Sequence, residues 1–516
     1  MHDIPSFSEV CKQLSPLQKV GQLFMPAAFI NDTEEEVQRL ERLIREYHIG
    51  SICFFHSRAS AATNFEGKKE VIHNTHSYDR LIDLIERYQS AAAIPLLIAI
   101  DAEWGLAMRI ENTNQYPFAI TLGAMTHAEH LVHQVGKQIG YECRNAGIHW
   151  NLAPVVDINL NPENPVIGYR SFGNDRKNVT HYAKAYINGM REAHILNAIK
   201  HFPGHGDTDT DSHLGLPIIE KEETELLTNE LYPFIQLLDD HADVIMVGHV
   251  SVPKLTRDNR IAASLSEDLM THFLRGRLGW QGLIISDALN MHAISKNFTQ
   301  KGDLEYHAFK AGNDVLCFPI DIIEGIEKIT ETCSTTKIDS SFERFWTLKQ
   351  KAFQKAHTTL KANYDHAELM TALAQESLTM LKGNDLIIKT FREKRFQLKV
   401  MGSGGGYFEK CITTIEEKCK RVLLTIVPRQ VKPKDFFGFS VEELQCMKKI
   451  LRQSETIIYL FGNPFFLNLL PWTKAKAVVV AYQDFPEFQE NAHSHFMGQI
   501  QAKGKLPVTL KRYESI

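Results

Sequence analysis

Eight short apolar runs punctuate the first 320 residues of this 516-residue chain, and helical patterns separate them. The runs are Gln22–Ala28, Gly50–Phe55, Pro95–Asp101, His149–Pro154, Leu196–His201, Asp243–His249, Gly282–Asp287 and Asn313–Phe318. They are rich in Ile, Val, Leu and Phe, and most do not alternate apolar with polar residues. A strand with one wet face must alternate. A strand covered on both faces reads as a continuous apolar run, as in parallel sheets. The amphipathic stretches Glu34–Tyr47, Tyr78–Ala92 and Ala128–Asn145 predict covering helices. Eight strand-plus-helix units in about 330 residues predict a (β/α)8 barrel of TIM type with some long loops.

A chain of this length exceeds what one hydrophobic core sustains, so a second domain is expected. Lys337–His357 reads as a closing helix, with Phe342, Phe345, Trp346, Leu348 and Phe353 as its apolar positions. Residues 358–364 read as a linker between a catalytic barrel over 1–357 and a smaller α/β sandwich domain over 365–516. In the latter a helix, His366–Glu376, precedes strand-like segments. These are Leu378–Leu381, Leu398–Gly402, Val422–Val427, Thr456–Phe461, Ala477–Tyr482 and Leu506–Leu510. Helical stretches at Glu409–Lys420 and Val441–Gln453 separate some of them, so a three-layer α/β arrangement is predicted.

Composition narrows the function. Lys and Arg number 57 against 62 Asp and Glu, a formal charge of −5, which argues against a nucleic-acid binder. The eight cysteines contain no CxxC pair, so neither a zinc ribbon nor a disulfide framework is expected. As written, the N-terminus lacks a basic segment followed by an apolar one, and no run is long enough to span a membrane. A cytoplasmic location is the expectation.

Four of the eight runs end in ionisable residues: Asp101, His201, His249 and Asp287. In this barrel the C-terminal strand ends carry the active site. Directly after one run comes KHFPGHGDTDTDSHLGLP, Lys200 to Pro217, a composition no core segment needs. Asp207, Asp209 and Asp211 alternate as in half a calcium loop, but Ser212 stands at the required glycine and Ile218 at the glutamate. His201, His205 and His213 lack zinc-site spacing, so no metal is expected. Asp211 and His213, two apart, point to one side of an extended segment. A carboxylate so placed can orient an imidazole for general acid/base work. Asp287 can be a nucleophile, an electrostatic stabiliser or the N-cap of the following ALNMHAI segment. Polar Asp101, Glu103 and Arg109 near Trp104 suit sugar binding, with a capping Asp and a loop Trp as the alternative. The glycines of Gly402–Gly406 do not complete a dinucleotide fingerprint, since Tyr407 takes the last position.

Together the motifs NLAPVVDIN, NPENPVIGYRSFG, KHFPGHGDTDTDSHLGLP, GLIISDALNM and AGNDVLCFP occur in the order seen in glycoside hydrolase family 3. The chain resembles the NagZ-like branch of bacterial β-N-acetylglucosaminidases. The resemblance covers the whole first domain, and is loose at Leu506–Leu510. It implies a retaining mechanism with Asp287 as nucleophile and His213, oriented by Asp211, as acid/base. Residues matching Asp101, Arg109, Arg170, Lys200 and His201 would hold the sugar hydroxyls and acetamido arm. The implied substrate is a terminal β-linked GlcNAc, as in GlcNAc-1,6-anhydroMurNAc from cell wall, with no cofactor. One departure stands out. The family's DQEGGRVxR reads DAEWGLAMR here, with Trp104 for a glycine and Leu106 for an arginine. Phosphorolysis, β-glucosidase specificity and an inactive sugar-binding protein are the rival readings.

Overall fold

The computed structural model describes residues 4–55, 73–208, 215–239, 241–256, 260–354, 365–412 and 419–511. It divides into two compact units. The first comprises Met1–Gln115, Val135–Asp157 and Ala183–Ala362; the second comprises Tyr116–Gln134, Ile158–Tyr182 and Asn363–Ile516.

The first unit is a curled, all-parallel sheet. Its strands are β1 (Phe24–Met25), β2 (Ala27–Phe29), β3 (Ser51–Phe55), β4 (Leu97–Ile100), β5 (Trp150–Asn151), β6 (Leu196–Phe202), β7 (Val244–Val247), β8 (Leu283–Ser286) and β9 (Leu316–Cys317). Strands β2 to β8 pair in sequence order, and β1 pairs with β9. A bridge between Ile285 and Val315 joins β8 to the last run. The ring therefore closes through β9 and β1, with β2 following β1 along the chain. Pro26 explains why the first apolar run makes two strands. It has no N–H to donate, so the ladder breaks there and the partner changes from β9 to β3. The β4, β6 and β7 residues are all buried, as continuous apolar runs require.

The predicted helices form where capping chemistry supports them. Thr33 accepts from the Glu36 amide while the Glu36 carboxylate accepts from the Thr33 amide at 2.8 Å. This capping box opens the helix Glu34–Tyr47, which buries Val37, Leu40 and Ile44. The closing helix runs Thr335–Phe353.

Asp314 ties this helix to the ring. Its fully buried carboxylate accepts from the Ile284 amide at 2.9 Å, the Ser341 hydroxyl at 2.8 Å and Arg344 at 2.8 and 3.0 Å, and pairs with Arg275.

In the second unit a five-stranded sheet has the order β10-β14-β13-β12-β11. The strands are β10 (Thr379–Lys382), β11 (Gln397–Gly402), β12 (Arg421–Val427), β13 (Glu455–Leu460) and β14 (Ala477–Val480). Only β10 is antiparallel to its neighbour. The expected strand at Leu506–Leu510 does not form. Pro507 lacks an amide hydrogen, and the nearby bridge, Gly504 beside Thr379, falls before the segment. The expected helix Glu409–Lys420 is shorter, Tyr407–Cys411, with 413–418 outside the described residues. The expected linker, 358–364, also lies outside them.

Asp314→Ala leaves Arg275 and Arg344 partly buried without their carboxylate. It should lower unfolding stability by about 3–5 kcal/mol, the cost of breaking one side of a buried ion pair, read as a fall in the denaturant midpoint.

Candidate active site

The C-terminal ends of β3, β4, β6 and β8 converge in the first unit, and each delivers polar or aromatic groups. Asp101 follows β4 directly. After it, Gly105, with a φ of 97° that favours glycine, starts the short turn Leu106–Met108 that carries Arg109. Lys200 reaches across from β6. Its Nζ lies 2.8 Å from Asp101 Oδ1 and 2.8 Å from Glu103 Oε1, with its side chain only 2% exposed. Arg109 donates to Asp101 Oδ2 at 3.1 Å, and its guanidinium sits 3.6 Å above the Phe55 ring at the end of β3. Burial pulls the Asp101 carboxyl upward, but the charges of Lys200 and Arg109 outweigh it. Asp101 ends below the ordinary carboxylate range and stays ionised.

Lys200 and His201 are consecutive, so in a regular strand they would face opposite ways. The register of β6 on β7 shifts between Ile199 and Phe202. Such an irregularity re-aims side chains, and both residues serve the strand-end cluster. His201 turns to Asp157. Their Nδ1–Oδ2 distance is 2.7 Å, and Asp157 also accepts from the backbone amides of His201 and His205. Asp157 is fully buried. Burial raises its carboxyl, but His201 more than compensates, and it too lies below the ordinary range. A carboxylate can only accept, so in this bond the His201 ring donates from Nδ1.

His205 is buried, and its basicity is pushed down to about 4 by desolvation first and His201 second. Its Nδ1 lies 2.7 Å from Thr208 Oγ1, whose own hydrogen goes to the His205 carbonyl.

Asp287 follows β8. Its amide donates to Val247 O at 2.9 Å, and its Oδ1 accepts from the Ala288 amide at 2.8 Å. The next helix begins only at His292, with Met291 as its N-cap, so Asp287 is not a helix cap. His249, at the end of β7, sets the backbone beside it: Nε2 donates to Ala288 O at 2.9 Å and Nδ1 lies 2.7 Å from Ser264 Oγ. Asp287 belongs to the same field as the other charges. It acts on His205, and with Asp101 on the buried Cys317, whose thiol burial pushes well up.

The structure thus brings together Asp101, Arg109, Lys200, His201 and Asp287. Asp211 and His213 lie outside the described residues. Arg170 lies in the second unit, on the turn Gly168–Arg170. Sequence reasoning left Asp157 and Phe55 unassigned, and placed Glu103 only among the polar groups near Trp104. Glu103 and Asp157 stood inside quoted motifs, and their acidity beside buried cations was the available signal. Among the described residues no group of three or more His, Cys, Asp or Glu is placed to hold a metal.

Residues 17–348 match the model of the glycosyl hydrolase family 3 N-terminal domain. Beta-hexosaminidase A of Pseudoalteromonas piscicida is 32% identical over 382 residues, 67% of this chain and 62% of that protein. A beta-N-acetylglucosaminidase/beta-glucosidase of Cellulomonas fimi is 25% identical over 398 residues, 73% of this chain and 66% of that protein. The chain therefore spans less than two-thirds of the length of either relative. A glycoside hydrolase family 3 beta-N-acetylglucosaminidase from Paenibacillus sp. str. FPU-7 superposes with a TM-score of 0.76 at 26% identity, covering 96% of this chain and 99% of that one. The chain belongs to glycoside hydrolase family 3.

Proposed function

We propose that the protein is a retaining β-N-acetylhexosaminidase that releases terminal β-linked GlcNAc. The observation that carries this is a carboxylate, Asp287, at the end of β8 within one electrostatic field with the Asp101–Lys200–Glu103–Arg109 cluster. Hexosaminidase and N-acetylglucosaminidase names among the relatives support the choice of sugar. Asp287 attacks the anomeric carbon, and a C–O bond forms to its carboxylate as the glycosidic bond breaks. His213, oriented by Asp211, gives a proton to the departing oxygen. The same imidazole then takes a proton from water, which displaces Asp287 and restores the anomeric configuration.

Asp101, Arg109, Arg170, Lys200 and His201 hold the hydroxyls and acetamido arm. Hydrogen bonds from charged groups to hydroxyls are worth about 1.5–3 kcal/mol each, enough to select a sugar. The aglycone in this proposal is 1,6-anhydroMurNAc, a cell-wall fragment handled in the cytoplasm. No helix among the described residues is long and apolar enough to cross a membrane.

On p-nitrophenyl β-GlcNAc the wild type should turn over faster than on the β-glucoside. Asp287→Ala should cut kcat by about 1,000-fold or more. Wild-type rates in both Asp287→Ala and His213→Ala would overturn the assignment.

The Asp157–His201 pair adds a pH signature. A carboxyl depressed on folding stabilises above its unfolded pKa, near about 4, and loses that contribution as pH falls through the folded value. The stability gap between wild type and Asp157→Asn should therefore be level above about pH 5 and shrink on acidification below about 4, followed by thermal melts. Asp157→Asn should also raise KM, because the His201 ring is no longer held in one orientation.

A further inference from the structure

Arg109 belongs to the first unit, and so does every group that holds it. Its contacts are of two kinds. Nη2 donates to Asp101 Oδ2 at 3.1 Å. The guanidinium carbon lies 3.6 Å from the centroid of the Phe55 ring. Nε is buried and has no hydrogen-bond partner among the described residues. The other Asp101 oxygen, Oδ1, accepts from Lys200 at 2.8 Å. Asp101 thus divides its oxygens between two cations, and its bond to Arg109 is single. It is not the two-pronged fork that fixes a guanidinium plane. A group tied at one nitrogen can pivot about that bond. At 3.6 Å the Phe55 ring is in van der Waals contact, and it blocks the pivot on its side.

Phe55 is itself held in place. It is the last residue of β3, paired in register with Phe29 at the end of β2. The two rings lie 6.4 Å apart, and Phe318, just past β9, meets Phe55 edge-on at 5.7 Å. Phe29 and Phe318 are buried, whereas Phe55 is only partly so. Three strand ends thus back one aromatic face, and Arg109 lies on it.

The choice of a ring here has an electrostatic reason. Asp101 and Glu103 already balance Lys200 and Arg109. A further carboxylate beside Arg109 would fix its plane, but it would make the cluster negative and occupy more of its hydrogens. The negative face of a ring attracts the cation and uses none of its N–H groups. Arginine has five such donors, and among the described residues one is engaged.

We infer that Phe55 is a positioning residue for Arg109: its ring face sets the plane of the guanidinium and spares the remaining N–H groups for the substrate. This rests on the proposed role of Arg109 in holding the sugar.

Phe55→Leu in the full chain tests it, since leucine keeps an apolar side chain and removes the π face. KM for p-nitrophenyl β-GlcNAc should rise about five- to thirtyfold, the scale of a desolvated cation–π contact, with kcat within about twofold of wild type. Phe55→Tyr keeps the face and should hold KM within about threefold. Arg109→Met should raise KM at least as much as Phe55→Leu. Adding Phe55→Leu to Arg109→Met should then change KM by less than about twofold, because both act through one group. Thermal melts establish that each variant is folded at the assay temperature, and Phe55→Met replaces Phe55→Leu if the latter is not. Unchanged KM in Phe55→Leu, with KM raised by Arg109→Met, would overturn the positioning role and leave Arg109 its own. An equal rise from Phe55→Leu with and without Arg109 would also overturn it, since Phe55 would then act by another route. Unchanged KM in Arg109→Met would remove that arginine from the sugar site and the inference with it.

Discussion

An ammonium group buried to 2% exposure can stay charged only if carboxylates face it, and Lys200 has two. That requirement fixes much of the first unit. It demands that β4 end in an acid, that a second acid follow two residues later, and that β6 lie where its side chain can reach both. The surplus negative charge is met by Arg109, which rests on Phe55 and so keeps its stem and plane desolvated without a further anion. The result is an alternating set of charges whose members hold one another ionised. Donors and acceptors in such a set are oriented in advance, so a polar ligand meeting them would face little reorganisation.

A second arrangement of the same kind stands beside it. Asp157 collects two backbone amides and one imidazole nitrogen, which leaves it no freedom to turn. The His201 ring is thereby held in one orientation. Its neighbour His205, neutral because it is desolvated, adds shape and polarity without adding charge. Two adjacent residues of β6 thus serve two separate carboxylate systems, and the register shift at Ile199–Phe202 is what allows it.

Much of this was legible in the sequence, for identifiable reasons. Two-sided burial leaves continuous apolar runs, so the parallel ring showed itself in Leu97–Ile100 and Val244–Val247. The polar residues that end such runs stood out against them, which exposed Asp101, His201 and Asp287. What stayed hidden depends on distant pairing. Asp157 sits 44 positions from His201, in a loop with no periodicity, and only the folded chain shows that they meet. Pro26 and Pro507 misled in a different way: apolar neighbours suggested strands, while the missing amide split one and prevented the other. Asp287 before a helix-like segment left a cap and a nucleophile equally open, and the later helix start at His292 removes the cap.

The composition of the second unit also bears on how the chain comes into being. In that unit the Asn174 amide donates to Pro507 O, and the Asn174 side chain to Thr509 Oγ1. Residues 158–182 leave the ribosome about 320 residues ahead of the 503–511 segment that accepts these bonds, since 503 − 182 = 321. At roughly 5–20 residues per second this is on the order of a quarter of a minute to a minute. Through that interval Asn174 has no Pro507 or Thr509 to bond. The finished form of residues 158–182 is thus a late product of synthesis, completed after the ring of strands that precedes it has been made.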